Sequence, residues 1–187
     1  MAAFHKNGPP PAERILAAAD KLFYARGIRA VGVDGIAAAA GVSKRTLYNH
    51  YPSKDDLIVA YLRARFRHIT PSDAPAVEQI LGVFDRLERV ISSTGFRGCP
   101  FVNAVAEIGD PRHPASGIAL QFKEQRRHWF RALLERLKVK DPEALATQLA
   151  ILTDGAIAMA LVRNDPAVAR SARSAAETLL RAGGAMK

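Results

Sequence analysis

The sequence predicts an all-α protein of about nine helices: an N-terminal three-helix unit with a helix-turn-helix, then a larger helical bundle. Three observations lead there. Apolar residues recur at helical rather than alternating spacing along the 187 residues, and Ala and Leu dominate them. Gly and Pro punctuate the chain between these periodic segments. The stretch from Gly35 to Lys54 holds two short helical patterns hinged on a single glycine.

Taken in order, residues 1–10 read as a flexible tail halted by Pro9-Pro10-Pro11, and proline suits a first helical turn because its missing N–H would be unpaired there anyway. A first helix is expected from Ala12 to Arg26, with Ile15, Ala18, Ala19, Leu22 and Phe23 as one stripe and Gly27 as its stop. Glu13 near its start suits the helix dipole. A second runs from Asp34 to Ala40 and a third from Ser43 to His50, before Pro52 breaks the chain. Ser53 then caps a fourth, lined by Leu57, Ile58, Tyr61 and Leu62. Pro71 to Pro75 is the clearest boundary. The expected domains are therefore 11–52, a connecting helix in 53–70, and 71–187. Beyond the boundary the spacing predicts helices at Ala76–Ser92, Phe101–Ile108, Ala115–Leu137, Pro142–Val162 and Pro166–Arg181. Asn164-Asp165-Pro166 reads as stop, cap and start between the last two.

The glycine hinge carries the chemistry. Gly41 supplies the positive φ that ends one helix, and Ser43 can cap the next. Lys44, Arg45, Thr46, Tyr48, Asn49 and His50 then fall on a helix of about two turns, with Leu47 its single inward aliphatic residue. A short helix studded with donors after such a turn fits the DNA major groove. Lys44 and Arg45 stand at the end that meets base edges, where Arg takes guanine, a phosphate or only solvent, and Lys a base or a phosphate. Thr46 can pack its methyl on thymine or donate to phosphate. Asn49 can read adenine or simply close the helix.

Charge agrees. The formal net charge is +9 and the isoelectric point about 10.1, which favours an anionic partner. Residues 1–70 hold 11 Lys/Arg against 5 Asp/Glu, so the basic excess travels with the helix-turn-helix. A hydrophobic content of 49% supports a real core. One cysteine excludes an internal disulfide and fits a reducing cytosol. The start of the chain lacks the apolar segment of a signal peptide, and no apolar run reads as long enough to span a bilayer. The expectation is a cytoplasmic protein with no membrane partner. Among the five histidines none stands in an H-E-x-x-H or E-x-x-H pattern, so no catalytic, metal or cofactor site is expected. Glu124 and His128 share a helix face in the manner of a surface pair.

The run Ile36-Ala37-Ala40-Gly41-Val42-Ser43-Lys44, then Thr46-Leu47-Tyr48-Asn49-His50-Tyr51, then Ser53-Lys54-Asp56-Leu57 resembles the tetracycline-repressor (TetR) family. The resemblance spans Ile15 to Leu57. It implies a homodimeric, ligand-responsive transcription regulator that binds palindromic double-stranded operators and is released by a small molecule of unknown identity. By the same resemblance Tyr48 and His50 lie at or beside backbone phosphate, Tyr51 is half core and half phosphate donor, Lys54 is a phosphate lysine, and Ser43 stands among the DNA-binding residues. Two departures stand out. Val31-Gly32 replace the Thr or Ser often found ahead of helix two, so Asp34 or the Gly32 backbone must cap it. Arg45 replaces a frequent Gly or Pro.

Family pockets lie among helices five to eight, which nominates Phe84, Leu87, Cys99, Phe101, Asn103, Glu107, Phe122, Trp129 and Asp154. Asn103 and Glu107 share one helix face. Arg97-Gly98-Cys99-Pro100-Phe101-Val102-Asn103 resembles a Gly-Cys-x-Phe-x-Asn stretch of one family branch. A thiol there, at a helix start beside Arg97, is either an electrophile- or redox-sensing thiolate or a small buried hydrophobe. The last two helices should dimerise through Leu145, Leu149, Leu152, Ala156 and Met159 with Val168, Ala172, Ala176 and Leu179, forming a four-helix bundle. The alternative is that these seams close an intramolecular core.

Overall fold

The computed structural model describes residues 8–70 and 72–187. Among them are nine helices and no strand: α1 Pro11–Arg26, α2 Val33–Ala40, α3 Lys44–His50, α4 Lys54–Arg65, α5 Ala76–Ile91, α6 Pro100–Ile108, α7 Pro114–Arg136, α8 Pro142–Arg163 and α9 Ala167–Ala182. Most of the tail expected over 1–10, and Pro71, lie outside the described residues.

Local chemistry sets the ends. Gly41 closes α2 at φ 64°, a left-handed conformation that side chains resist. Ser43 and Ser53 cap α3 and α4, accepting the amides of Thr46 and Asp56, each at 3.0 Å. Asp141 caps α8 through the Ala144 amide, 3.0 Å away. Asn164 ends α8 at φ 51°, and Asp165 then accepts the Ala167 amide at 2.8 Å, the stop, cap and start of the sequence. Gly32, and not Asp34, stands at the N-cap of α2, with no side-chain cap.

The helices form two compact units. Of the described residues, the first holds those up to Phe66 together with Asn103–Ile118; the second holds those from Arg67 to Val102 and Ala119–Lys187. The sequence division at residue 71 assigned Asn103–Ile118 to the C-terminal part, yet these residues pack with the N-terminal helices. In the first unit α1 packs on α2, α3 and α4. Ile15, Ala19, Ile36, Leu47, Leu57 and Leu62 make its solvent-free core, and Phe23 meets Tyr61 edge-on at 5.5 Å. In the second, α5, α8 and α9 pack together, with Ile80, Phe84, Phe130, Leu134, Leu149, Ala176 and Leu180 fully or almost fully buried. Each such Leu or Phe contributes roughly 1.5–3 kcal/mol by leaving water.

One sequence expectation is overturned here. Helix α8, 22 residues with a mean hydropathy of 1.7 over its most apolar stretch, is long and apolar enough to cross a bilayer by length and composition. It is also a core helix: Leu145, Ala146, Leu149, Thr153, Ala156 and Ala160 are buried in the second unit. The single buried hydroxyl among them, on Thr153, donates to the Leu149 carbonyl at 2.8 Å.

Candidate functional site

Helix α3 owes its orientation to one residue. Leu47 has no solvent exposure, so the rest of this two-turn helix faces outward, and Lys44, Arg45, Tyr48, Asn49 and His50 are exposed. Thr46 is half-buried, its hydroxyl 2.8 Å from that of Ser43, which ties both to the cap. Lys44 reaches back to Asp34 on α2, Nζ to Oδ1 at 3.0 Å, and hydrogen bonding with this carboxylate raises its pKa above the ordinary lysine value. Among the described residues Arg45, Tyr48, Asn49 and His50 have no side-chain hydrogen bond or ion pair. Four flexible donors are therefore left open on one face.

Tyr51 and Lys54 stand differently from the phosphate donors implied by resemblance. The half-buried Tyr51 hydroxyl donates to the Ala12 carbonyl at 3.3 Å, and burial pushes its pKa up. Lys54 donates to the Ile28 carbonyl at 2.7 Å. Both side chains tie α3 and α4 to α1 and the turn after it. Lys54 keeps two further N–H donors.

The segment Asn103–Ile118 adds one long-range hydrogen bond and one close approach to the same unit. The Arg29 amide donates to Glu107 Oε2 at 2.9 Å, and Glu107 lies so close to Gly27 that a Cβ there would stand 2.9 Å from Oε2. Glu107, expected in a pocket, instead holds the α1–α2 turn. His113 Nδ1 accepts the Ala115 amide at 3.1 Å, which puts the proton of a neutral ring on Nε2, 3.5 Å from Asp55 Oδ1. Neither contact has a sequence signal, since Glu107 and Arg29 are 78 positions apart.

In the second unit the nominated pocket residues divide. Phe84 and Leu87 are core, packed with α8 and α9. Trp129 is half-buried against that core, 5.3 Å from Phe130. Phe101 is 1% exposed and stacks on Phe122 at 3.9 Å and 14°. Cys99 is buried, and Asp154 is held by Lys123 at 2.6 Å. Asn103 is half-buried and belongs to the first unit. Sequence reasoning missed Arg126, whose guanidinium lies 5.6 Å from the Phe122 ring centre. The signal was available, since Phe122 and Arg126 are four apart on one helix. A separate surface hollow of about 400 Å³ lies between the α7–α8 turn and the end of α9, near Lys140, Leu145 and Gly183, and none of the nominated pocket residues lines it.

The residues read from sequence as a dimer seam lie mostly inside one chain, as in the alternative of an intramolecular core. Leu145, Leu149, Ala156, Ala172 and Ala176 are buried in the core of one chain, and Leu152, Val168 and Leu179 pack partly against it. Only Met159 of that set, 48% exposed, faces out. The outward stripe of α8 is Gln148, Ile151, Gly155, Met159 and Val162, with Ile151 66% and Val162 81% exposed. Helix α9 turns out small side chains, Ser171, Ser174, Ala175 and Thr178.

This arrangement matches known proteins. The family model for bacterial regulatory proteins of the tetR family matches residues 15–61, which are α1 to the middle of α4. A TetR-family transcriptional regulator of known structure from Streptomyces coelicolor is 37% identical, with a TM-score of 0.84 over 93% of this chain and 96% of that one. The HTH-type transcriptional regulator YjdC of Escherichia coli is 26% identical over 177 residues, 90% of this chain and 93% of its own. The HTH-type transcriptional repressor KstR2 of Mycobacterium tuberculosis is 36% identical over 77 residues, 37% of this chain. An outward-facing, donor-rich α3 on an all-helical scaffold and these likenesses together show that the chain belongs to the TetR family of DNA-binding transcription regulators.

Proposed function

We propose that this regulator is a cytoplasmic repressor that binds a palindromic operator as a homodimer and is released by a small molecule. The observation that carries the reading is the open face of α3, where Arg45, Tyr48, Asn49 and His50 are exposed with no partner among the described residues. Arg45 is assigned to a base edge, with Lys44 exchanging Asp34 for a base or phosphate as DNA arrives. Ser43, Thr46, Tyr48 and His50 then take backbone phosphate, and Tyr51 and Lys54 hold the domain to which they are bonded.

The dimer is assigned to the outward stripe of α8, Ile151, Gly155, Met159 and Val162, with the small-residue face of α9. An apolar stripe that large on a soluble regulator favours a partner, and a second copy satisfies a two-fold operator. Two recognition helices about 34–36 Å apart would then enter successive major grooves. The effector region is assigned to the part of the second unit around Phe101, Phe122 and Asp154.

Footprinting of the DNA upstream of the protein's own gene, at two salt concentrations, tests the reading. A protected palindrome whose affinity falls steeply with salt is expected. Absence of any salt-dependent protection, with a folded dimer confirmed in the same sample, overturns it.

A further inference from the structure

Several cations on α7 and α9 have a counterion. Lys123 closes on Asp154, Arg127 on Glu124 and Glu143, Arg131 on Glu135 and Glu143, and Arg173 on Asp85 and Glu177. Arg126 is half-buried and has neither a hydrogen bond nor an ion pair among the described residues. Its guanidinium sits 5.6 Å from the centre of Phe122, which stacks on the fully buried Phe101. Burial pushes the Arg126 pKa down, Asp154 and Cys99 act against that, and the positive charge of Arg86 adds to it. Removing a guanidinium from water without a fork-shaped acceptor is unfavourable, and the acceptor that fits the fork is a carboxylate. Lys123 and Asp154 neutralise one another, while Arg86 adds a second positive charge near Arg126, so an anion is favoured there, and one carboxylate fills the guanidinium fork.

We propose that Arg126 anchors the effector, and that the effector is a small monocarboxylate with an apolar aryl or alkyl body lying beside the Phe101–Phe122 pair. This rests on the reading of the protein as ligand-responsive and names the chemistry its ligand must have. Lys123 is assigned no direct role, since its charge is met by Asp154. The Phe101–Phe122 stack supplies the apolar contact that separates such an acid from inorganic anions.

The test compares benzoate and hexanoate with benzamide and hexanamide, matched in shape but neutral, on the full-length protein. Thermal shift reads binding, and displacement of operator DNA reads regulation. The carboxylates are expected to raise the melting temperature by mass action and the amides to leave it unchanged. Arg126→Gln should weaken carboxylate binding at least about tenfold while Arg126→Lys keeps part of it. The unliganded melting temperatures of both variants check that they fold. Stabilisation by amides equal to that by acids, no stabilisation by either acid, or an unchanged response in Arg126→Gln overturns the assignment. If Arg126-dependent binding occurs without DNA release, the anion site stands and ligand gating falls. If amides release DNA as well as acids do, gating stands and the anion site falls.

Discussion

The Lys44 ammonium is held 3.0 Å from Asp34 Oδ1, so the first cation of the recognition helix is partnered before DNA arrives. Both side chains are more than half exposed, so the pair contributes little to stability. On the proposed assignment of Lys44 to DNA, its effect falls on binding: the carboxylate would compete with phosphate for Lys44 and repel the backbone. Asp34→Asn should tighten DNA binding several-fold and leave the melting temperature unchanged. Lys44→Ala should weaken binding and lower the slope of log affinity against log salt by about one. Titrations at several salt concentrations check both; a weaker-binding Asp34→Asn variant would count against the competition.

Burial raises the Tyr51 pKa, so the folded state favours the neutral phenol. Stability from this source is complete below the unfolded value of about 10 and is lost as pH rises through the higher folded value. Tyr51→Phe should remove that part of the alkaline loss. At neutral pH it should cost about 0.5 kcal/mol, the low end for a hydrogen bond, since the bond to Ala12 is long at 3.3 Å. Urea unfolding of both proteins at about pH 8 and about pH 11, either side of the ordinary tyrosine value, checks the difference.

Gly27 sits at φ 89° and ψ 154°, with Glu107 against its Cα. Gly27→Ala therefore meets two obstacles, a backbone conformation that costs roughly 1–3 kcal/mol for other residues and the carboxylate itself. Glu107→Ala alone should cost about 1 kcal/mol, because water can replace much of the exposed bond to the Arg29 amide. In the double variant the steric part of the alanine penalty should vanish, leaving a coupling of at least about 0.5 kcal/mol in a double-mutant cycle. Additive effects would show that Glu107 does not press on the turn.

The two faces of α8 should separate stability from assembly. Leu149→Ala, in the core, should lower stability by about 2–5 kcal/mol. Ile151→Glu with Val162→Glu, on the outward stripe, should leave the helical content and the fold of each chain intact and turn the proposed dimer into a monomer in sedimentation. Loss of palindrome binding in the same variant would link the stripe to the operator.

Cys99 is 8% exposed at the entrance to α6, which fits a packed small hydrophobe better than a reactive thiolate. Native protein should react with a disulfide reagent far more slowly than urea-unfolded protein. Cys99→Ser should leave DNA binding unchanged. Fast native labelling coupled to DNA release would restore the electrophile-sensing alternative.

The sequence exposes helix ends well and helix faces poorly, for physical reasons. Ser43, Gly41, Ser53 and Asn164 act on neighbours within four residues, so their chemistry can be read locally, and the helix boundaries fall within a residue or so of expectation. In α8 apolar residues surround the axis. Periodicity cannot choose there between the side that packs on α5 and α9 and the side left open, and Leu149 and Ile151 look alike. The bond between Glu107 and the Arg29 amide was not legible because the two are remote in sequence. Arg126 was overlooked because a cation beside an aromatic residue on a helix is ordinary until the absence of a counterion is known.

The grouping of Asn103–Ile118 with α1–α4 has a consequence for anyone who would transplant the reading head onto another protein. A chain cut after Phe66 would carry the whole of α3 yet leave behind Glu107, the acceptor for Arg29, and His113, the neighbour of Asp55. A chimera built by a single crossover would carry α3 and lose the Glu107 bond that holds the α1–α2 turn. Grafts that import Asn103–Ile118 as a second, separate insert should be the ones that stay folded.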